Sequence, residues 1–178
     1  VNIIKSLDSI ALDIATHIKT VVPDHPASVN VLKHGIAVVI NTVSIILLTI
    51  GISFFTGKAL EAVVAMISFS LLRQVVGGVH LKSNLTCIVV STVLLTALSF
   101  ANFNYNLVVI TSILSMILVL IYAPSRIEGR TRIPRRYYPL LKCLGVAIVA
   151  LNLGLAYPVV AASFFVQSLT LIEGGVKK

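Results

Sequence analysis

Arg73-Gln74-Val75-Val76-Gly77-Gly78-Val79-His80-Leu81-Lys82-Ser83-Asn84-Leu85-Thr86-Cys87 interrupts a chain that is otherwise almost continuously apolar. At helical spacing, Arg73, Gly77, His80, Asn84 and Cys87 fall on one face and make a polar stripe. A straight helix is a poor working geometry for that stripe, because seven residues separate His80 from Cys87 by about 10.5 Å along the axis. Either the helix is broken between them, or the two side chains meet across a subunit interface, or they do not act together. Gly77-Gly78 favours a break, since paired glycines lower helix propensity and let the backbone turn sharply. Lys82-Ser83-Asn84 adds residues compatible with a turn. The expectation is an irregular or re-entrant segment over residues 76 to 84. A new helix then starts near Ser83 or Asn84 as N-cap and carries Cys87 in its opening turn, where a helix N-terminus favours a thiolate.

Outward from this stretch, composition decides the solvent. The chain is 57% hydrophobic and 11% charged, with a mean hydropathy of +1.03; soluble domains are about 45–50% apolar and about 25% charged. Such a chain cannot cover itself with polar surface, so it is expected to be an all-α polytopic membrane protein. Apolar segments at 35–55, 59–72, 85–103, 107–123, 143–157 and 158–172 give about six transmembrane helices, two or three of them short or kinked. Gly35 to Phe55 is uncharged over about 21 residues, which matches the ~20 needed to cross the hydrocarbon core. Leu144 to Ile172 is about 29 residues, or about 43 Å as one helix, too long for a core about 30 Å thick. Tyr157-Pro158 divides it into two short spans or one kinked helix.

Residues 1–22 precede these spans. Ile3, Leu7, Ile10, Ile14, Ile18 and Val21 recur every three or four positions opposite Lys5, Asp8, Asp13, His17 and Lys19, and Pro23 with Pro26 ends the run. This is an amphipathic interfacial helix, on the membrane surface, on a partner, or against the protein's own bundle. The acidic residues Asp8, Asp13 and Asp24 do not fit a cleavable signal peptide. No internal repeat or linker appears, and residues 1–178 read as a single integral-membrane domain.

The net charge of +8 comes mainly from Arg126, Arg130, Arg132, Arg135, Arg136 and Lys142, clustered between two apolar segments. Basic residues placed this way report topology, not nucleic acid. With the N-terminus inside, about six crossings put Arg73 to Lys82, the basic loop and the Lys177-Lys178 tail in the cytoplasm, and only Lys58 falls on the wrong side. A version with about five spans puts the tail outside. Cys87 and Cys143 form no disulfide framework and belong on the reducing cytoplasmic side.

Cys87 and His80 are the pair suited to nucleophilic catalysis. A thiolate is the reactive species, and an imidazole beside it stabilises the charge and stands ready to protonate a leaving amine. No metal is expected, because one Cys and one His are too few ligands and no carboxylate lies nearby in sequence. His17, His25 and His34 read as interfacial residues. A rival reading from another class is a non-enzymatic small transporter or channel subunit, with a polar pathway along Arg73, His80 and Asn84. Few intramembrane charges support it, since only Glu61 lies well within an expected span.

Arg73-Gln74-x-x-Gly77-Gly78-x-His80, with Cys87 seven positions after the His, resembles the accessory gene regulator protein B family of bacterial quorum-sensing peptidases. The resemblance extends to the amphipathic N-terminal segment and to Tyr122-Ala123-Pro124 leading into the basic loop. It implies a membrane endopeptidase without cofactor that acts on one small membrane-associated propeptide. The enzyme removes the C-terminal tail and helps to close a thiolactone ring. Cys87 is then the nucleophile and His80 the general base, with Arg73, Gly77 and Gly78 as supporting motif positions and Asn84 as an orienting group by position. Oxyanion stabilisation is expected from backbone N–H groups near Cys87, with Gln74 as a weaker candidate. Arg130, Arg132, Arg135 and Arg136 either attract an acidic tail or only enforce topology. The family is associated with homodimers, and Gly145, Ala147, Ala150 and Gly154 form a small-residue face that permits close helix packing. The implied location is the bacterial cell membrane, with both termini and the active site on the cytoplasmic side.

Overall fold

A computed structural model describes residues 3–79, 83–125 and 134–172 of the chain. The elements in order are α1 (Ile3–Val21), α2 (Val29–Thr56), α3 (Ala59–Val76), α4 (Asn84–Ser99), α5 (Tyr105–Tyr122), a 3-10 turn (Arg135–Tyr137), α6 (Tyr138–Leu155) and α7 (Pro158–Leu169). No strand occurs among the described residues, whose one β-bridge is isolated. Among the described residues, four helical runs are long and apolar enough to cross a membrane: α2, α3, α5 and Arg135–Leu155, which contains α6. The helices α4 and α7 are apolar but shorter. In α2, Val39, Leu47 and Phe55 are open to the surroundings, a pattern that in water would be costly and that lipid solvates. The protein is thus an all-helical polytopic membrane protein.

Local chemistry sets the ends of these helices. Asn104 caps α5, its side-chain oxygen accepting from the Leu107 amide at 3.0 Å. At the end of α6 the backbone turns through Ala156, which is left-handed with φ 50, and Asn152 Oδ1 accepts from the Tyr157 amide at 3.2 Å. Pro158 then opens α7, where its missing N–H costs no helical hydrogen bond.

The chain forms two compact units, Val1–Gly51 with Leu81–Leu94, and Ile52–His80 with Leu95–Lys178. In the first, α1 buries Ala11 and Ala15 completely and leaves Ile10, Ile14 and Val21 exposed. Its small-residue edge is therefore packed inside the unit, while its apolar stripe stays uncovered by the chain. Ile14 lines an open apolar hollow with Leu32, Ile36 and Ile40 of α2.

In the second unit, Leu72 and Val76 of α3 pack with Val119 of α5, Ala123, Val149 of α6, Phe164 of α7 and Leu171. Gly145 lets α6 approach this core: a Cβ there would lie 2.5 Å from Val76 Cγ1 and 3.1 Å from Val119 Cγ1. Gly145 thus serves packing inside the chain, whereas nothing lies within 4 Å of a Cβ built on Gly154. Ser115, Ser163 and Ser168 are fully buried, and each returns its hydroxyl to a carbonyl of its own helix. Small residues of this kind are what helices without a hydrophobic driving force use to come close.

Candidate active site

The helix α3 stops at Val76 because two glycines follow in conformations that other residues rarely adopt: Gly77 has φ 78 and Gly78 has φ 134. Gly77 caps the helix, donating its N–H to Arg73 O at 2.9 Å. The turn is then stitched to the segment leaving α5. Ser125 N donates to Val76 O at 2.9 Å, and Gly78 N donates to Ser125 O at 3.2 Å, as a short parallel bridge between Gly77 and Ser125. From the other side, the fully buried Gln167 of α7 donates its Nε2 to Gly77 O at 2.7 Å. A Cβ on Gly78 would lie 2.6 Å from Thr170 Oγ1. Arg73 lies near the Phe69 ring, 6.0 Å from its centroid, and donates Nη2 to Val79 O. Arg73 therefore holds the carbonyl of the peptide that joins Val79 to His80.

No unbroken helix runs from Arg73 to Cys87, so the polar stripe is not a helix face. The expected interruption occurs, with α3 ending at Val76 and α4 beginning at Asn84. His80 lies outside the described residues, together with Leu81 and Lys82. Gln74 is exposed on α3.

In the other unit, Cys87 sits in the opening turn of α4. Its N–H donates to Ser83 O at 2.9 Å, which gives Ser83 the N-cap position. The Ser83 hydroxyl is buried and makes no hydrogen bond, so the cap is a backbone one. The Cys87 amide is committed to this bond, while the N–H groups that precede it in the first turn of α4 belong to the end of a helix where amides have no intrahelical partner. Cys87 as a residue is 9% exposed. Asn41 Nδ2 of α2 donates to Sγ at 3.5 Å, and Ser91 Oγ, one turn on, lies 3.9 Å from it. Asn41 Oδ1 is buried and accepts nothing. Asn84 donates Nδ2 to Asp8 Oδ1 of α1 at 3.0 Å, which fastens the start of α4 to the N-terminal helix.

Of the basic residues, Arg135 and Arg136 are exposed in the 3-10 turn that leads into α6. The Arg136 guanidinium stacks over Tyr137, 4.8 Å from the ring centroid. Arg130 and Arg132 lie outside the described residues. Cys143 is exposed.

Sequence reasoning passed over Asn41, Ser91, Ser125 and Gln167. Asn41 and Gln167 carry a signal, since an amide in an uncharged apolar run is costly in lipid unless it has a partner. Their partners lie 46 and 90 residues away, and local periodicity does not reach that far.

The chain matches the family described as Accessory gene regulator B over residues 11–172. It is 27% identical over 119 residues to a protein of Halalkalibacterium halodurans described as AgrB-like, a match covering 66% of this chain and 60% of that relative. It is 26% identical over 149 residues to accessory gene regulator protein B of Staphylococcus aureus, covering 78% of this chain and 79% of the relative. The chain thus spans less than two thirds of the first of these relatives and most of the second. No solved structure matches it.

Proposed function

The chain belongs to the accessory gene regulator B family, and from that premise we propose that it is a membrane-embedded cysteine endopeptidase of quorum-sensing peptide processing. Its substrate is a small membrane-associated propeptide, from which it removes the C-terminal tail. The observation that carries the reading is the buried thiol of Cys87 in the first turn of α4, hydrogen-bonded by Asn41, after a glycine turn that ends the preceding helix.

His80 takes the Cys87 proton and the thiolate attacks the carbonyl carbon at the cleavage point. The C–N bond then breaks, and the tail leaves as an amine that receives the proton from His80. The remaining peptide is held as an acyl-thioester on Cys87. A cysteine thiolate of the same peptide attacks that thioester, forming the thiolactone and returning the Cys87 thiolate, which is reprotonated. One thioester replaces another, so the exchange has a small net free-energy change, and burial of the thiol keeps hydrolysis from competing. Arg73, Gly77 and Gly78 support the site by shaping the segment before His80. Arg135 and Arg136, with Arg130 and Arg132, attract an acidic tail. The active site faces the cytoplasm with both termini, and the protein acts as a homodimer through a face other than Gly145.

Cys87→Ala and His80→Ala are each expected to abolish tail release from a coexpressed propeptide while the protein still inserts in the membrane. Normal cleavage by Cys87→Ala would overturn the reading.

A further inference from the structure

Asn41 belongs to no motif of the polar stretch, yet its side chain reaches the sulfur. Its Nδ2 donates to Cys87 Sγ at 3.5 Å, and its Oδ1 is enclosed without a hydrogen-bond partner. An amide buried in this half-satisfied state is costly, because the orphan acceptor has lost water and gained nothing. Such groups persist where something else completes them. Beside a nucleophile that attacks peptide carbonyls, the complementary group is a peptide N–H.

We infer that Asn41 is a catalytic residue of this site, whose Nδ2 holds the Cys87 sulfur in its attacking ionised form while its Oδ1 receives a backbone N–H of the bound propeptide next to the scissile bond. The inference rests on the reading of Cys87 as nucleophile and adds a group contributed by α2. A neutral amide can play both parts because one end donates and the other accepts. As Sγ bonds to the carbonyl carbon, negative charge leaves the sulfur for the carbonyl oxygen. The Nδ2–H is then released from its strongest partner and is close enough to follow the charge. Of the ionisable groups, Asp8 of α1 bonds Asn84, three positions before the thiol, and His80 precedes Cys87 by seven positions in sequence. Asn41 differs from both in carrying no charge, so its effect has its own signature. Asn41→Asp keeps the shape but sets a carboxylate against the thiolate, and Asn41→Leu keeps the volume but has neither donor nor acceptor.

The test reads two quantities on the full-length protein in membranes: release of the propeptide tail, and the rate of Cys87 alkylation by iodoacetamide as a function of pH in a Cys143→Ser background. Asn41→Leu is expected to lower tail release about 10- to 100-fold, the rate equivalent of one hydrogen bond to a charged group, and to move the alkylation profile to higher pH. Asn41→Asp is expected to move it further in the same direction. Tail release at the wild-type rate in Asn41→Leu, or reduced release with an unshifted alkylation profile in both variants, overturns the inference. Cys87→Ala separates the two levels: if it still cleaves, the nucleophile reading has failed, and if it is inert while Asn41→Leu is normal, only the role of Asn41 has failed.

Discussion

Gly78 carries two constraints at once. Its φ of 134 lies where side chains are rarely tolerated, and a Cβ would press on Thr170 Oγ1 at 2.6 Å. Relieving the contact does not relieve the backbone. Gly78→Ala is therefore expected to cost a few kcal/mol locally, about 1–3, and to abolish tail release, and Thr170→Ala in the same chain is expected not to restore it. Restoration to wild-type release, measured by gel separation of precursor and product, would show that only the steric contact mattered. Glycines of this kind are legible in a sequence because their conformational freedom is a property of the residue itself. Asn41 was not legible in the same way. Its importance comes from where Cys87 lies in space, and an asparagine in an apolar run looks the same whether or not a thiol stands beside it.

The break between α3 and α4 was readable because Gly-Gly and Lys-Ser-Asn both disfavour helix, and the split of the last apolar run was readable because Pro158 cannot continue one. What holds the break in shape was not readable. The C-terminal run lies within the residues that match the family but offered no recognisable motif and suggested no site residue, yet Gln167 of α7 holds the Gly77 carbonyl at 2.7 Å. Loss of that donor leaves a carbonyl facing apolar groups, at a cost of about 1–3 kcal/mol. Gln167→Leu is expected to reduce tail release several-fold and to lower thermal stability in detergent, whereas Gln167→Glu, if protonated in its buried position, keeps a donor and is expected to retain more activity. Equal activity in Gln167→Leu and wild type would mean that the Ser125 bridge alone secures the turn.

At the scale of the molecule, hydropathy and charge made the all-helical membrane class legible, because a chain so poor in charge has no other solvent. The helices α4 and α7 are short for a bilayer about 30 Å thick, so the number of crossings depends on how the membrane accommodates them. A cysteine placed at Lys178, in a chain with Cys87→Ser and Cys143→Ser, decides it. Labelling of intact cells by an impermeant maleimide only after permeabilisation is the expected result for about six crossings, and labelling without it indicates about five. The bond between Gln167 and Gly77 spans 90 positions, and this has a bearing on how the protein is made. At about 5–20 residues per second, the ribosome takes roughly 5–20 s to travel from one partner to the other. Throughout that interval the emerging chain already contains Arg73 to Cys87 but has no amide to secure the turn. Until α7 has been made, the turn at Gly77 forms without its Gln167 partner, a delay imposed by synthesis itself.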